Sequence, residues 1–229
     1  MAIDMELEEV LRPQQYPMMP YPPKVITLAN GNKMVVRQAQ REEVPAILQG
    51  VLPCLFIPRD YYDIVSARLY GELLAWYRYR VKSEYCLIGQ IDGYLVGAVN
   101  GRLENEKVGM SYHTLAIDRG LRIGSHLFAA KMEYHMEYLN QDEVLIVAES
   151  PIGFRRWMIE YPLEATKIPH ELGGGDSYRL TREIYFNAKP RLVVGDRPVP
   201  PDLLAKAEEE VLIVDEDIIR EKISGLKGR

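Results

Sequence analysis

Apolar positions along the chain recur at two spacings, every second residue and every third or fourth, and the switches between them divide it into elements. Residues 24–40, "KVITLANGNKMVVRQAQ", set two β-rich runs around Asn30-Gly31 and predict a hairpin, because both turn residues tolerate positive φ. "REEVPAILQGVLP" predicts a short helix with Glu42 and Glu43 in its first turn. Residues 59–84 predict a longer helix whose Ile64, Leu69, Leu73 and Trp76 share a face. A second hairpin follows around Asp92-Gly93, then a third strand, "KVGMSYHTLAID". Ile123, Leu127, Ala130 and Tyr134 recur at helical spacing in a helix running to about Leu139. "DEVLIVAES" is a continuous apolar run and predicts a buried strand. "PIGFRRWMIEY" predicts a helix opened by Pro151, capped by Ser150 and ended by Pro162. A loop containing "GGGD" leads to an alternating strand, "SYRLTREIYF".

The two ends differ from this body. Residues 1–23 form an acidic patch and then "RPQQYPMMPYPP", an extended proline-rich arm outside the core, though Tyr16, Met18, Met19 and Tyr21 favour packing. Residues 188–229 predict a β-α-β-α unit from "PRLVVGD", "PPDLLAKAEEE", "VLIV" and "DEDIIREKISGL". That unit is too short for a core of its own, so it is expected to dock on the main domain or on a second subunit. The body, 24–187, reads β, α, α, β, β, β, α, β, α, β: an α+β fold with one sizeable core.

Charge and cysteine content narrow the function classes. A net charge of −5 with no cluster of Lys and Arg gives no footprint for nucleic acid. Cys54 and Cys86 are the only cysteines and form no metal-binding or disulfide framework. No apolar run approaches a membrane span, and the acidic start lacks the apolar core of a secretion signal. A cytoplasmic protein is the expectation.

The chemistry concentrates in "AIDRGLRIGSHLF", 116–128, which passes from a strand end through a turn into a helix. The first N–H groups of a helix have no partner within it, and its dipole places partial positive charge there, so such a turn suits a phosphate. Gly120 and Gly124 permit close approach, Arg119 and Arg122 add charge, and Ser125 adds a donor. Taken alone, the stretch reads either as a phosphate cradle or as a plain strand-to-helix connection. No G-K-[ST] and no complete G-x-G-x-x-G is present, which disfavours a P-loop and a Rossmann fingerprint.

The order of elements together with "RGLRIGSHL" resembles the GCN5-related N-acetyltransferase (GNAT) superfamily over about 33–187. In that family the turn reads Arg/Gln-x-x-Gly-x-Gly/Ala; Arg119 and Gly124 match, and Arg122 stands at the first glycine. The resemblance implies α/β/α layers around a mixed, mostly antiparallel sheet, with acetyl-CoA as cofactor and an amine of a small molecule or protein as acceptor. It implies a pyrophosphate held by Arg119, Gly120, Leu121, Arg122, Ile123, Gly124 and Ser125, and pantetheine along Leu115, Ala116 and Ile117. Arg122 is compatible with this if its φ is negative and its side chain points outward.

By the same resemblance a tyrosine in the helix after "DEVLIVAES" protonates the leaving sulfur, but Trp157 occupies that position and cannot act as an acid. Tyr161, one turn further on, is the candidate acid, or else a core residue at the helix end. Glu149 is the candidate base, with a carboxyl raised by burial, or a charge placed for the next helix dipole. His113, on the cofactor strand, is the best-placed imidazole, or a structural one. His126 and His135 are expected to be exposed or half-buried. The aromatic stretch 59–80, with Asp60, Asp63 and Glu72, falls where the family builds its acceptor pocket. The expected function is transfer of an acetyl group to a primary amine by direct attack. The alternative is a non-catalytic CoA-binding or assembly protein; on either reading the terminal appendages are candidate homodimer contacts.

Overall fold

Both turn signals close as hairpins in the computed structural model, which describes residues 5–13, 15–147, 149–169 and 176–225. Strands β1 (Lys24–Thr27) and β2 (Lys33–Gln38) flank Gly31, whose φ is 86°. Strands β3 (Glu84–Ile91) and β4 (Tyr94–Leu103) flank Asp92 and Gly93, at φ 53° and 85°. Two consecutive left-handed residues are what a two-residue hairpin requires. With β5 (Val108–Ala116), β6 (Glu143–Ile146), β7 (Glu164–Pro169) and β8 (Asp176–Thr181) they form one sheet in the order β1-β2-β3-β4-β5-β6-β8-β7. Its pairs are antiparallel except β5 with β6, which run parallel.

Helices cover both faces. On one side lie α2 (Val44–Val51), α3 (Tyr62–Tyr77) and α8 (Glu216–Ser224), which pack Ile47, Val51, Leu69, Leu73, Ile219 and Ile223 against Cys86, Ile88, Ala98 and Leu115. On the other, α4 (Ile123–Glu133) continues as a π-helical turn, Tyr134–Tyr138, and joins α5 (Pro151–Glu160) and α6 (Arg182–Leu192). There Leu127, Ala130 and Tyr134 meet Met34, Tyr85 and Leu87, while Phe128 and Met132 meet Trp157 and Tyr185. The result is the expected α/β/α arrangement around a mixed, mostly antiparallel sheet.

Several elements differ from their sequence reading. Val65 and not Ile64 faces the core: the inward stripe is Val65, Leu69, Leu73 and Trp76, and Ile64, one residue out of phase, is 45% exposed. The strand expected over 177–186 stops at Thr181, whose side chain accepts from the Ile184 N–H and starts α6. That helix runs on through Pro190 to Leu192, into "PRLVVGD". β7, read as loop, is a mostly exposed polar edge strand and so lacks the alternating apolar signature.

The C-terminal unit is a pair of helices, α7 (Pro201–Glu209) and α8, and each run expected as a strand forms a single bridge, Asp196 to Val25 and Leu212 to Tyr94. Prolines 198, 200 and 201 interrupt this region, and proline cannot donate to a ladder. It docks on its own chain: Val199 and Ala207 cover Val25 and Val35, and α8 enters the main core. The N-terminal arm carries a short helix, α1 (Met5–Val10), and inserts Tyr21 into the core at 3% exposure. Arm, sheet and extension meet on one buried carboxylate. Glu133 accepts from the Tyr21 hydroxyl at 2.6 Å, Lys24 Nζ at 2.7 Å and Arg197 Nη1 at 2.9 Å. His135, expected to be exposed or half-buried, is fully buried between Tyr85 and Gln141, and burial holds its imidazole down to about 3. Among the described residues no helix is long and apolar enough to cross a membrane.

Candidate functional site

The site begins with two irregularities in β5. Its pairing with β6 runs from Val108↔Glu143 to Ser111↔Ile146, and β5 then continues to Ala116. Over 112–116 that edge has no β6 partner, and the two strands part. On its other edge the register with β4 shifts: Thr114 lies opposite Val99 but Ser111 opposite Gly101. Tyr112 and His113 therefore share the space opposite Asn100, a β-bulge, which re-aims a side chain and frees main-chain polar groups.

Two buried side chains satisfy that bulge. Asn100 Oδ1 accepts the His113 N–H at 3.0 Å, and its Nδ2 donates to Glu84 at 2.9 Å. From α4 behind the sheet, Lys131 Nζ donates to the carbonyls of His113 at 3.0 Å and of Asn100 and Tyr112 at 3.3 Å. Burial lowers the Lys131 ammonium to about 7, against a weak upward pull from Glu149.

The bulge brings His113 Nδ1 to 2.6 Å from Glu149 Oε2, and Arg68 Nη1 of α3 donates to Glu149 Oε1 at 2.9 Å. Burial raises the Glu149 carboxyl, but its bonds to His113 and Arg68 and their charge outweigh this and hold it below its ordinary value. The sequence expectation of a raised carboxyl is reversed, because its two partners come from distant elements. An ionised carboxylate only accepts, so Nδ1 carries the proton in this contact. His113 Nε2 is buried and has no partner among the described residues.

The cofactor turn adjoins this pair. Arg122 is the N-cap of α4 at φ 60°, in the left-handed region and not at the negative value that the sequence reading required. That region favours glycine, and holding an arginine there costs about 1–2 kcal/mol. Among the described residues no side chain caps this helix end, so its first N–H groups have no partner there. Arg119 is paired with Asp60 at 2.7 Å and Arg122 with Glu160 at 2.7 Å. A Cβ at Gly124 would lie 3.6 Å or more from its neighbours, so this glycine keeps the loop surface low and not the packing possible.

A cavity of about 280 Å³ connects these parts. It is lined by Thr114, Leu115 and Ala116 of the open edge, Arg119, Gly120, Arg122, Ile123, Gly124 and Ser125 of the turn, and Glu149 with Trp157 beyond. Asp60 and Tyr62 form the opposite wall, and the Tyr62 hydroxyl donates to the Ala116 carbonyl at 2.7 Å. The side chains of Ile117 and Leu121, also expected at the cofactor, turn into the apolar clusters, which leaves only their main chain to face the turn. Tyr161 is also absent from the cavity wall: it is 1% exposed and lies against Phe128. Trp157 stacks on the same Phe128 at 4.4 Å and presents indole to the cavity. Arg68, Asn100 and Lys131 were not singled out from sequence; each acts across at least thirteen residues, and none has a local signature. A free strand edge leading to uncapped helical N–H groups suits an extended molecule ending in phosphates.

No family model and no curated protein sequence matches the chain. Solved structures do. An uncharacterized protein from Bacillus halodurans is 10% identical over 74% of this chain and 95% of its own, with a TM-score of 0.52. The GNAT domain of S. lividans PAT is also 10% identical, over 73% of this chain and 99% of its own, with a TM-score of 0.52. The chain has the GNAT fold.

Proposed function

We propose that the protein is an acetyl-CoA-dependent N-acyltransferase that acetylates a primary amine by direct attack. The observation that carries this reading is the juxtaposition of the free β5 edge, the uncapped turn at 119–125 and Glu149, backed by the buried His113, on one cavity. The residues present fit the cofactor. The N–H groups opening α4, with Arg119, Arg122 and Ser125, would hold the pyrophosphate, and the edge at Leu115 and Ala116 would pair with the pantetheine arm. Arg119 and Arg122 would share their charge between Asp60 or Glu160 and phosphate. When bound, acetyl-CoA supplies an acyl group activated as a thioester.

The chain's own part is to bind, to orient and to receive a proton. Glu149 faces the cavity ionised and accepts a proton from the incoming ammonium; His113 fixes its orientation through Nδ1. A main-chain N–H of the open edge is the donor available to a carbonyl oxygen as charge builds on it. Direct attack is favoured because no cysteine reaches the cavity: Cys54 and Cys86 are buried, and burial pushes the Cys54 thiol up to about 12.

A non-catalytic CoA-binding protein is the second reading, and Trp157 in place of a tyrosine favours it. Calorimetry with CoA and thiol release with an amine panel separate the two. CoA binding weakened by Arg119→Ala and by Gly124→Glu, together with acceptor-dependent thiol release, supports the enzyme. Binding without turnover on any amine supports the second reading, and no CoA binding overturns both.

A further inference from the structure

We propose that the acceptor is an amino acid, held by its carboxylate on Arg68 with its amine at Glu149; this rests on the acyltransferase reading above. An acceptor amine must place its nitrogen at Glu149, so the atoms beside that nitrogen meet whatever flanks this carboxylate. One flank is His113, fully buried. The other is Arg68, whose side chain is 38% exposed and donates to Glu149 through Nη1 alone. A guanidinium carries five N–H groups in a planar fork shaped for a carboxylate. Its remaining donors are therefore available within one side chain's width of the base.

The surrounding charges discriminate in the same direction. Asp60 is paired with Arg119 and lies near Arg59, while Glu72 and Glu84 both pair with Arg102. Asp60, Glu72 and Glu84 each lie beside a cation, which weakens their hold on a second ammonium, as a diamine acceptor would require; Asp63 has no ion pair among the described residues but does not line the cavity. An acceptor with a carboxylate one or two carbons from its amine completes Arg68 instead.

The test measures acetyl-CoA-dependent thiol release with L-amino acids, with the primary amide of each, and with diamines, for the wild type, Arg68→Met and Arg68→Lys. In the wild type, kcat/KM for the preferred amino acid exceeds that for its amide by about tenfold or more. Arg68→Met brings the two within about twofold, and Arg68→Lys, which keeps charge without the fork, lies between them. CoA affinity is the same in all three proteins. Wild-type preference for amides or diamines, or a preference for the acid that survives Arg68→Met, overturns the proposal. Absence of turnover with every amine is a failure of the acyltransferase reading and leaves this one to binding. N-acetyl amino acids and their amides are then titrated into CoA-saturated protein. Tighter binding of the acids, lost in Arg68→Met, sustains the proposal; equal binding, or none, overturns it.

Discussion

His113 is held from both ends: Lys131 Nζ donates to its carbonyl at 3.0 Å from behind the sheet, and its imidazole reaches Glu149 at 2.6 Å in front. The strand bulge, the buried ammonium and the carboxylate are one construction, and each can be probed separately.

Lys131 makes stability depend on pH in a defined window. Burial lowers its ammonium from 10.5 to about 7. Between those values the unfolded chain retains a proton that the folded chain has released, so the stability of the wild type rises with pH there. Lys131→Met removes that term. Urea unfolding at about pH 6, 8 and 10 is expected to show the wild type gaining on the variant at each step. A difference that stays flat across the series excludes this role.

Glu149→Gln keeps the shape of the side chain and removes its basicity. Thiol release is expected to fall by about 10²–10⁴-fold in kcat/KM while calorimetric CoA affinity holds. The stability that Glu149 contributes is present above the ordinary carboxyl value of 4.5 and is lost as pH falls through its lower folded value, so the melting points of the two proteins converge in acid.

Tyr161→Phe separates burial from chemistry. The hydroxyl is buried and unpartnered among the described residues, and burial raises its pKa further from neutrality. Removing it is expected to leave kcat unchanged and stability equal or higher, since an unpaired buried hydroxyl costs about 1–3 kcal/mol. A loss of activity at constant CoA affinity would restore Tyr161 as the acid.

Arg122→Gly is expected to offset the loss of an exposed ion pair by relieving a left-handed backbone, leaving stability within about 1 kcal/mol of the wild type. Arg122→Val, which keeps the strain and adds β-branching, loses about 1–2 kcal/mol in urea unfolding. Equal stability of the two variants means that the turn relaxes away from its φ of 60°.

Features carried by neighbouring residues were legible in the sequence. Asp92-Gly93 specifies its turn locally, Ser150 caps α5 through the Gly153 N–H three residues on, and the uncapped turn before α4 announces itself by its glycines and arginines. Features that depend on register or on distant partners were not. The bulge exists because β4 and β5 pair out of step, and nothing in "SYHTL" marks it. Arg68 meets Glu149 across 81 residues, and Lys131 looks like any polar position of an amphipathic helix until the sheet buries it. The direction of the Glu149 shift was missed for the same reason: burial is readable from an apolar run, but the cations that overcome it are not.

Glu133 has a consequence for how the molecule can be divided. Similarity to known folds covers about three quarters of the chain, which invites excision of 24–187 as a free-standing piece. That cut removes Tyr21 and Arg197, leaves a buried carboxylate with Lys24 alone, and uncovers Val25 and Val35. Stripping partners from a buried ion costs about 3–5 kcal/mol, a large share of what holds a domain together. The stretch that resembles known folds and the stretch that keeps its buried charges paired therefore have different borders.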